Sequence, residues 1–330
     1  MVARGKLFSV APMMDWTDRH CRVFHRTLTR SALLYTEMVT EQAVRHGDRN
    51  KLLGFAGREH PVALQLGGSN PQGLAEASRI GEGFGYDEIN LNVGCPSDRV
   101  QGGHFGACLM AEPKLVAACF AAMQAAVKIP VTIKCRIGID DQDEEQALDE
   151  FISAVSQAGC KTFIIHARKA WLKGLSPKEN REIPPLNYDR VLRLKAANPT
   201  LHISLNGGLE TVAAGLPHLE TLDGIMLGRV AYHNPWELTQ VDPAFANQPA
   251  PVSTRREAAL AMLPYIERHL ATGAPLHHIT RHMLGLYHAQ AGGRIWRQIL
   301  TVEGAKPNAT TAVLMQALST VEEQAARLAA

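Results

Sequence analysis

Paired cysteines, long apolar runs and a strong net charge are all missing from this sequence of 330 residues. None of its six cysteines has the C-x-x-C spacing of a zinc site or redox dithiol, which indicates a reducing cytoplasm. No uncharged apolar segment approaches membrane-spanning length, and the first residues, MVARGKLFSVAPMMDW, contain no signal-peptide core. We therefore expect a soluble cytoplasmic protein with no membrane partner and no metal site.

The composition is that of an ordinary globular protein, with 46% hydrophobic and 20% charged residues. The length suits one large domain with an appendage, or two domains. A net charge of +2 does not by itself indicate a nucleic-acid-binding protein, but it is compatible with a local basic patch.

Short apolar or β-branched segments recur along the chain and alternate with segments of helical periodicity. Nearly continuous apolar strands that alternate with helices predict a parallel sheet covered by helices. Eight such units in roughly 240 residues favour a (β/α)₈ TIM barrel over a doubly wound sheet. The G-x-G-x-x-G signature of a dinucleotide fold is absent after the first strand, where VAPMMDWTD stands. The predicted strands are 7–13, 33–39, 61–67, 88–94, 131–138, 162–168, 202–208 and 224–229.

The alternation ends near residue 240, where VDPAFANQPAPVST contains three prolines and is typical of a linker. The next segment begins with the capping-box pair Thr254 and Glu257 and contains Pro264, which we expect to kink the helix. Further helical patterns cover about 275–290, 293–303 and 308–328. We predict a barrel domain over 1–240, a linker over 241–254 and a small all-helical domain over 255–330.

Chemically distinctive side chains stand at the predicted carboxyl ends of all eight strands, where barrel enzymes place their chemistry. Polar groups inside apolar strands are unfavourable unless they pair with one another or with a ligand. An internal hydrogen-bond network accounts for one or two of them, but less easily for a set that covers every strand. The set is Met13 and Met14, Glu37, Gln65, Asn90 and Asn92, Lys134 and Arg136, His166 and Arg168, Asn206, and Arg229.

Glycines close the last two predicted strands, as NGG at 206–208 and LGR at 227–229. The loops after strands seven and eight form the usual phosphate site of this fold, because glycine lets backbone N–H groups approach an anion. Arg229 adds a charge-assisted hydrogen bond. Each motif is weak alone, but their positions together predict a phosphorylated ligand.

Seven motifs of the chain have the order and spacing of one known family: APMMDWTDRHCR, ALQLGG, INLNVGCP, IKCRIG, HARKAW, SLNGG and MLGRVAYHNP. The chain resembles the tRNA-dihydrouridine synthases from about residue 8 to the C-terminal helices, and its insert KAWLKGLSPKENREIPPL, at 169–186, resembles the A subfamily. The resemblance implies an FMN-binding barrel followed by a helical tRNA-binding domain. It also implies NADPH-dependent reduction of D-loop uridines in tRNA, at positions 20 and 20a, to dihydrouridine.

The resemblance further implies which residues bind FMN. Lys134 suits the pyrimidine edge of the flavin, because reduced flavin is an anion there and an ammonium group stabilises it. Ala167 stands where the family often has glycine, a small departure that fits the A subfamily. The implied FMN-binding residues are Pro12, Met13, Met14, Gln65, Lys134 and His166, with the phosphate on Asn206, Gly207, Gly208, Gly228 and Arg229.

Cys95 lies between Gly94 and Pro96, directly after the fourth predicted strand. Reduction of uracil places a hydride from flavin N5 on C6 and a proton on C5, and a free thiol is mostly protonated at neutral pH, so it can donate that proton. The family assigns this cysteine the role of proton donor. The other cysteines are interpreted as packing residues, since buried free cysteine is usually a small hydrophobe. They are Cys21, Cys108, Cys119, Cys135 and Cys160.

A uridine in folded RNA must leave its stack to reach a barrel floor, so the substrate implies base flipping. Asn92 can bind the uracil edge, and cationic residues are expected around the mouth. A solvated helix face has a similar composition, which leaves the tail histidines open, and RNA should avoid the acidic segment 140–150. The insert offers Arg168, Lys169, Trp171, Lys173, Lys178 and Arg181, and the tail offers His278, Arg281, His282, Arg294 and Arg297. Of these we predict tRNA contacts for Arg168, Lys178, Arg181, Arg294 and Arg297.

Two alternatives remain open at this point. Another FMN barrel oxidoreductase, of the dihydroorotate- or enoate-reducing type, would share the phosphate site but has no reason for a helical tail. A non-catalytic RNA-binding barrel protein would bind no flavin under any condition. We expect the protein to be a monomer.

Overall fold

The computed structural model describes residues 5–329, except for the side chains of residues 98, 99, 328 and 329. Its strands are β1 Leu7–Val10, β2 Leu33–Thr40, β3 Val62–Gly67, β4 Glu88–Val93, β5 Val131–Arg136, β6 Thr162–His166, β7 His202–Asn206 and β8 Gly224–Leu227. All neighbours are parallel, and β8 returns to pair with β1, so the sheet is a closed barrel. The predicted TIM barrel is therefore confirmed.

Six of the eight strands end one to three residues earlier than predicted, so several residues assigned to strand ends lie in the loops that follow. Strand β1, for example, ends at Val10, so Pro12, Met13 and Met14 lie in the loop that follows it. The register sets Asn92 beside Lys134 and Arg136 beside His166. Residues predicted to share a site therefore emerge at the same end of neighbouring strands.

Helices follow the strands in the order expected for this fold. The first nine are α1 Arg19–Leu28, α2 Glu41–His46, α3 Arg49–Leu53, α4 Pro71–Phe84, α5 Asp98–Gly102, α6 Pro113–Ala126, α7 Glu144–Gln157, α8 Tyr188–Ala197 and α9 Val212–Gly215. The next six are α10 Arg229–His233, α11 Arg255–Leu260, α12 Leu263–Leu270, α13 His277–Thr280, α14 Gly293–Val302 and α15 Thr311–Ala329. Short 3₁₀ turns cover Gly57–Glu59, Gly106–Ala111, Glu179–Arg181, Leu216–Glu220 and Pro235–Gln240, and a π-helical turn covers Asp242–Ala246.

Local sequence explains where the longer helices begin and end. Asn70 accepts a hydrogen bond from the Gly73 N–H, Pro71 occupies the first turn, and Gly85 ends α4 with a φ of +94°. The acidic segment 140–150 leads into α7, where Asp143 is the N-cap and accepts from two backbone N–H groups of the first turn.

Apolar side chains fill part of the barrel interior, beside buried polar groups such as Gln65 and Asn90. At its centre lies a cluster of fully or almost fully buried residues that includes the phenol ring of Tyr35. The other members are Ala11, Leu33, Ala63, Ile164 and Met226. The interior is thus a packed core rather than a pore, which leaves the carboxyl ends of the strands as the place for a site.

The chain divides into two compact units. The barrel unit comprises residues 5–14 and 33–228, which hold all eight strands and α2 to α9. The second unit comprises residues 15–32 and 229–329, which hold α1 and all helices from α10 onward. No helix among residues 5–329 has both the length and the apolarity that crossing a bilayer would require.

The second unit confirms some predictions for the tail and corrects others. Pro264 lies in the first turn of α12, so the long predicted helix is divided into α11 and α12. The helix predicted over 275–290 is wrong beyond Thr280, where turns follow, and Ala289 has a φ of +52° that no continuous helix allows. Thr254 is the N-cap, as predicted, and accepts the Glu257 N–H, but the Glu257 carboxylate accepts from the Ser253 N–H, one residue before the cap.

Residues 241–254, predicted as a linker, include Asp242, whose buried carboxylate accepts hydrogen bonds from the Thr29 hydroxyl and the Arg30 and Ser31 N–H groups of the same unit. Four short bonds of this kind hold the carboxylate ionised, and hydrogen bonding lowers its pKa against the opposing effect of burial. The domain bounds 1–240 and 255–330 stay predictions.

Candidate active site

The turn at residues 94–97, called the cysteine turn below, is held by the side chain of Asn92. The Asn92 Oδ1 accepts the N–H of Gly94 at 3.0 Å and the N–H of Cys95 at 2.9 Å. The half-buried Cys95 thiol donates to the Ser97 hydroxyl at 3.6 Å. The thiol is therefore carried by a backbone turn that hydrogen bonds to Asn92 hold in place.

Two further contacts hold the backbone of this turn. The Nε of Arg136 donates to the Gly94 carbonyl at 2.9 Å, and the N–H of Ala107 donates to the Cys95 carbonyl at 2.9 Å. Gly106 precedes Ala107 with a φ of +78°, and a Cβ there would lie 2.6 Å from the Cys95 carbonyl oxygen. Only glycine permits that approach.

Asn92 is the last of three side-chain amides joined inside the barrel unit. Its Nδ2 donates to Gln65 Oε1 at 2.9 Å, and Gln65 Nε2 donates to Asn90 Oδ1 at 2.8 Å. Gln65 and Asn90 are almost completely buried. Two residues predicted for different ligands, Gln65 for FMN and Asn92 for uracil, are therefore in direct contact.

Lys134 lies beside Asn92 in the register of β4 and β5, and its Nζ donates to Asn206 Oδ1 at 3.0 Å. Burial, with the nearby Arg136 as a smaller cause, lowers the pKa of Lys134 to about 8. No carboxylate among residues 5–329 forms an ion pair with it. A half-buried ammonium group whose hydrogen-bond partner is neutral is suited to an anionic ligand.

His166 ends β6 between Arg136 and Asn206 in the strand register. Its pKa is lowered well below the ordinary value, first by burial and then by the positive charges of Arg136, Lys134 and other arginines. The imidazole is therefore neutral at physiological pH and can both donate and accept hydrogen bonds.

Two glycines of the predicted phosphate site have a backbone conformation that favours glycine. Gly207 and Gly208 have φ of +108° and +67°, and a Cβ on Gly207 would lie 2.6 Å from the His166 ring. Nothing lies within 4 Å of a Cβ built on Gly228, so the end of β8 faces open space. Arg229 follows Gly228 in the chain and begins α10 in the second unit.

The insert 169–186 is fastened to the barrel unit by buried polar groups. Arg136 donates through Nη1 to the carbonyls of Lys169 and Asn180, at 2.9 and 3.0 Å, while its Nε holds Gly94. The fully buried Asn180 side chain binds both backbone groups of Trp171 and the carbonyl of Leu175. One arginine thus joins the insert to the cysteine turn.

Three cations predicted to contact tRNA belong to this insert or adjoin it. Lys178 and Arg181 are exposed, whereas Arg168 is half-buried and donates to the carbonyls of Glu182 and Pro184. The exposed Trp171 ring lies 6.0 Å from the Lys169 ammonium group. The insert therefore combines exposed cations with an aromatic ring on the barrel unit.

The second unit carries the other predicted tRNA contacts. Arg294 and Arg297 are exposed on α14, on either side of the buried Trp296. The prediction of a surface role for His282 is wrong, because the side chain is buried and pairs with Asp18 at 3.1 Å. That histidine is part of the core of its unit.

Sequence reasoning missed Asn180, Thr132 and Glu88, and it noted Arg136 without assigning it a role. A carboxylate at the start of an apolar strand was a usable signal for Glu88, since such a group needs partners. Asn180 had no signal, because an asparagine in a polar insert is usually exposed. No three His, Cys, Asp or Glu side chains of the described part of the chain are grouped to hold a metal ion.

Residues 9–324 match the family described as Dihydrouridine synthase (Dus). The tRNA-dihydrouridine(20/20a) synthase of Xanthomonas campestris pv. campestris is 56% identical over 322 residues, covering 98% of this chain and 96% of that protein. The protein of the same name from Vibrio vulnificus is 55% identical over 96% of this chain and 97% of its own length. The one from Yersinia pestis is 57% identical over 95% of this chain and 91% of its own length. The chain therefore belongs to the dihydrouridine synthase family, as its motifs predicted.

Proposed function

We propose that this protein reduces the 5,6 double bond of uridines in tRNA and so forms 5,6-dihydrouridine. Its relatives are named for positions 20 and 20a, and we propose those D-loop positions for this chain. The observation that supports the proposal most is the Cys95 thiol, held by Asn92 at the carboxyl end of β4, next to Lys134 on β5.

The dihydrouridine synthases are flavin-dependent oxidoreductases, and the residues of this chain fit FMN. Lys134 is a half-buried cation without a carboxylate partner in the described residues, and Gly228 faces open space. We propose that Lys134, Gln65 and His166 hold the flavin ring together with the backbone of Pro12, Met13 and Met14. Asn206, Gly207, Gly208, Gly228 and Arg229 would hold the phosphate.

The chemistry divides between the flavin and the side chains. When bound, FMN that NADPH has reduced supplies a hydride for C6 of uracil. Cys95 donates its thiol proton to C5, so that both atoms of the double bond gain one hydrogen. The side-chain NH₂ group of Asn92 donates one hydrogen bond to Gln65 and has a second N–H that can donate to a uracil carbonyl. That second hydrogen bond would orient the base against the thiol.

The tRNA must present a flipped-out base and bind through its backbone. We propose that Arg168, Lys178 and Arg181 contact it from the barrel unit, and Arg294 and Arg297 from a helical domain over 255–330. These contacts are separate surfaces of one chain, so a monomer is sufficient. A tRNA substrate also suits an enzyme of the cytoplasm.

A reconstituted reaction tests the proposal. Purified protein is incubated with FMN, NADPH and an unmodified tRNA transcript, and dihydrouridine is mapped by nucleoside and fragment mass spectrometry. We expect dihydrouridine at positions 20 and 20a, and none in a transcript with cytidine at both. Reduction of dihydroorotate-type or enoate substrates without any reaction on tRNA would establish the small-molecule alternative. A protein that binds tRNA but never retains flavin would establish the non-catalytic one.

A further inference from the structure

A chain of buried side-chain hydrogen bonds runs inside the barrel from the amino-terminal end of β4 to the cysteine turn. Thr132 Oγ1 donates to Glu88 Oε1 at 2.6 Å, and Asn90 Nδ2 donates to Thr132 Oγ1 at 2.8 Å. Asn90 is then joined to Gln65 and Gln65 to Asn92. Glu88 and Asn92 are four residues apart on one strand, so the chain spans about 13 Å.

The direction of every bond in this chain is fixed by its end at the cysteine turn. Backbone N–H groups can only donate, so Asn92 must present Oδ1 to them and its NH₂ group to Gln65. Gln65 must then accept with its oxygen and donate with its nitrogen, and Asn90 must do the same. Thr132 therefore receives a hydrogen bond and must donate its own proton onward.

Glu88 supplies the acceptor that this sequence of bonds requires. Its Oε1 accepts from Thr132 and, at 2.5 Å, from the Tyr35 hydroxyl, and a carboxyl oxygen can accept in either protonation state. Burial raises the pKa of Glu88, and burial together with the neighbouring carboxylate raises that of Tyr35, so the phenol remains a donor. The backbone donors of the cysteine turn and the acceptor Glu88 therefore select one orientation for each of the three side-chain amides.

From this geometry we propose that Thr132 and Glu88 are positioning residues for the reaction, because they hold the orientation of Asn90, Gln65 and Asn92 and so the place of the Cys95 thiol. Neither residue would touch uracil or flavin. Without an acceptor at Thr132, Asn90 loses the bond that fixes its orientation, and the neighbouring amides are free to turn. The role of Cys95 as proton donor rests on the proposed function, whereas the geometry of the hydrogen bonds from Glu88 to Asn92 does not.

Hydrogen exchange at the cysteine turn tests the inference directly. The N–H groups of Gly94 and Cys95 are protected by Asn92 Oδ1, so their exchange reports how often that contact opens. Thr132→Val keeps the β-branched shape and removes only the hydroxyl. Loss of one net hydrogen bond shifts an equilibrium about fivefold, so we expect these two amides to exchange about fivefold faster in the flavin-loaded protein.

Two matched variants separate positioning from general loosening. Thr132→Ser restores a hydroxyl and should return exchange to the wild-type rate. Tyr35→Phe removes the other hydrogen bond to the same Glu88 oxygen but leaves the amide chain intact, so it should not accelerate exchange at the cysteine turn. Amides of α14, in the second unit, serve as a reference for global unfolding.

In kinetics, we expect Thr132→Val to have a lower kcat for dihydrouridine formation and an unchanged KM for tRNA. Thr132→Ser should recover the wild-type kcat. Wild-type exchange of Gly94 and Cys95 in Thr132→Val would overturn the inference whatever the activity. So would equal acceleration in Tyr35→Phe, because that result would assign the effect to general loosening around Glu88. A wild-type protein that forms no dihydrouridine would instead overturn the proposed function and leave the exchange result valid.

Discussion

The ammonium group of Lys134 donates a hydrogen bond to the side-chain oxygen of Asn206 over 3.0 Å, and this bond joins β5 to β7 past the strand between them. Both residues were predicted to bind FMN from different motifs, IKCRIG and SLNGG. Because Asn206 is neutral, it orients the ammonium group without neutralising it. The positive charge therefore remains available to an anionic ligand.

Lys134 gives a prediction about pH. Its pKa is lowered to about 8, so the cation is present below that pH and is lost as pH rises above it. We expect the dissociation constant of FMN, measured by fluorescence titration, to rise as pH increases through about 8. A charge-assisted hydrogen bond is worth about 1.5–3 kcal/mol, or roughly a tenfold to hundredfold change in affinity.

The matched variants for that titration are Lys134→Met and Lys161→Met. The first should bind FMN weakly at every pH, without a change near 8, because it has no proton to lose there. The second removes an exposed lysine of the barrel unit and should keep the wild-type profile. An identical pH profile in Lys134→Met and wild type would exclude Lys134 from the flavin site.

Asn180 gives a prediction about the insert. Asn180→Ala removes the partners of two backbone groups of Trp171 and of the Leu175 carbonyl, and each buried group left unsatisfied costs about 1–3 kcal/mol. We expect faster tryptic cleavage after Lys173 and Lys178 and weaker tRNA binding, while FMN affinity stays unchanged. Unaltered cleavage and unaltered tRNA binding would show that the insert does not depend on Asn180.

The helical domain is tested by the pair Arg294→Ala and Arg297→Ala. Removing two phosphate contacts should weaken tRNA binding and lower its salt slope by about 0.7–0.9 per contact, while FMN retention and NADPH oxidation persist. The control pair is Arg256→Ala with Lys306→Ala, exposed cations that are paired with Glu322 and Glu303. If both pairs change the salt slope equally, α14 is only one part of a diffuse cationic surface.

Much of the fold was predictable because it depends on local sequence. Eight apolar segments that alternate with amphipathic segments predict the barrel. The site residues Gln65, Asn92, Lys134 and Asn206 follow in regular order because each lies near the carboxyl end of a strand. The helix break at Pro264 was predictable for the same reason, since proline acts on its own turn. These features need no knowledge of distant contacts.

The rest depends on residues that are far apart in the sequence. The local sequence around His282 predicts a surface residue, but its side chain pairs with Asp18, which is 264 residues away. The function of Asn180 depends on the turn around Trp171, and that of Thr132 depends on amides from two other strands. Hydrogen-bond partners of this kind leave no local pattern in the sequence.

The proposed proton donor, Cys95, is tested in a single turnover of the reduced, flavin-loaded protein with tRNA, by measuring dihydrouridine formation in the variants Cys95→Ala and Cys95→Ser. General acid catalysis contributes about 100-fold to 10,000-fold, so both variants should form dihydrouridine at least about 100-fold more slowly. Both should keep FMN, be reduced by NADPH and bind tRNA as wild type does. Single-turnover formation at the wild-type rate in Cys95→Ala would exclude Cys95 as the proton donor, and loss of flavin in both variants would make Cys95 a structural residue.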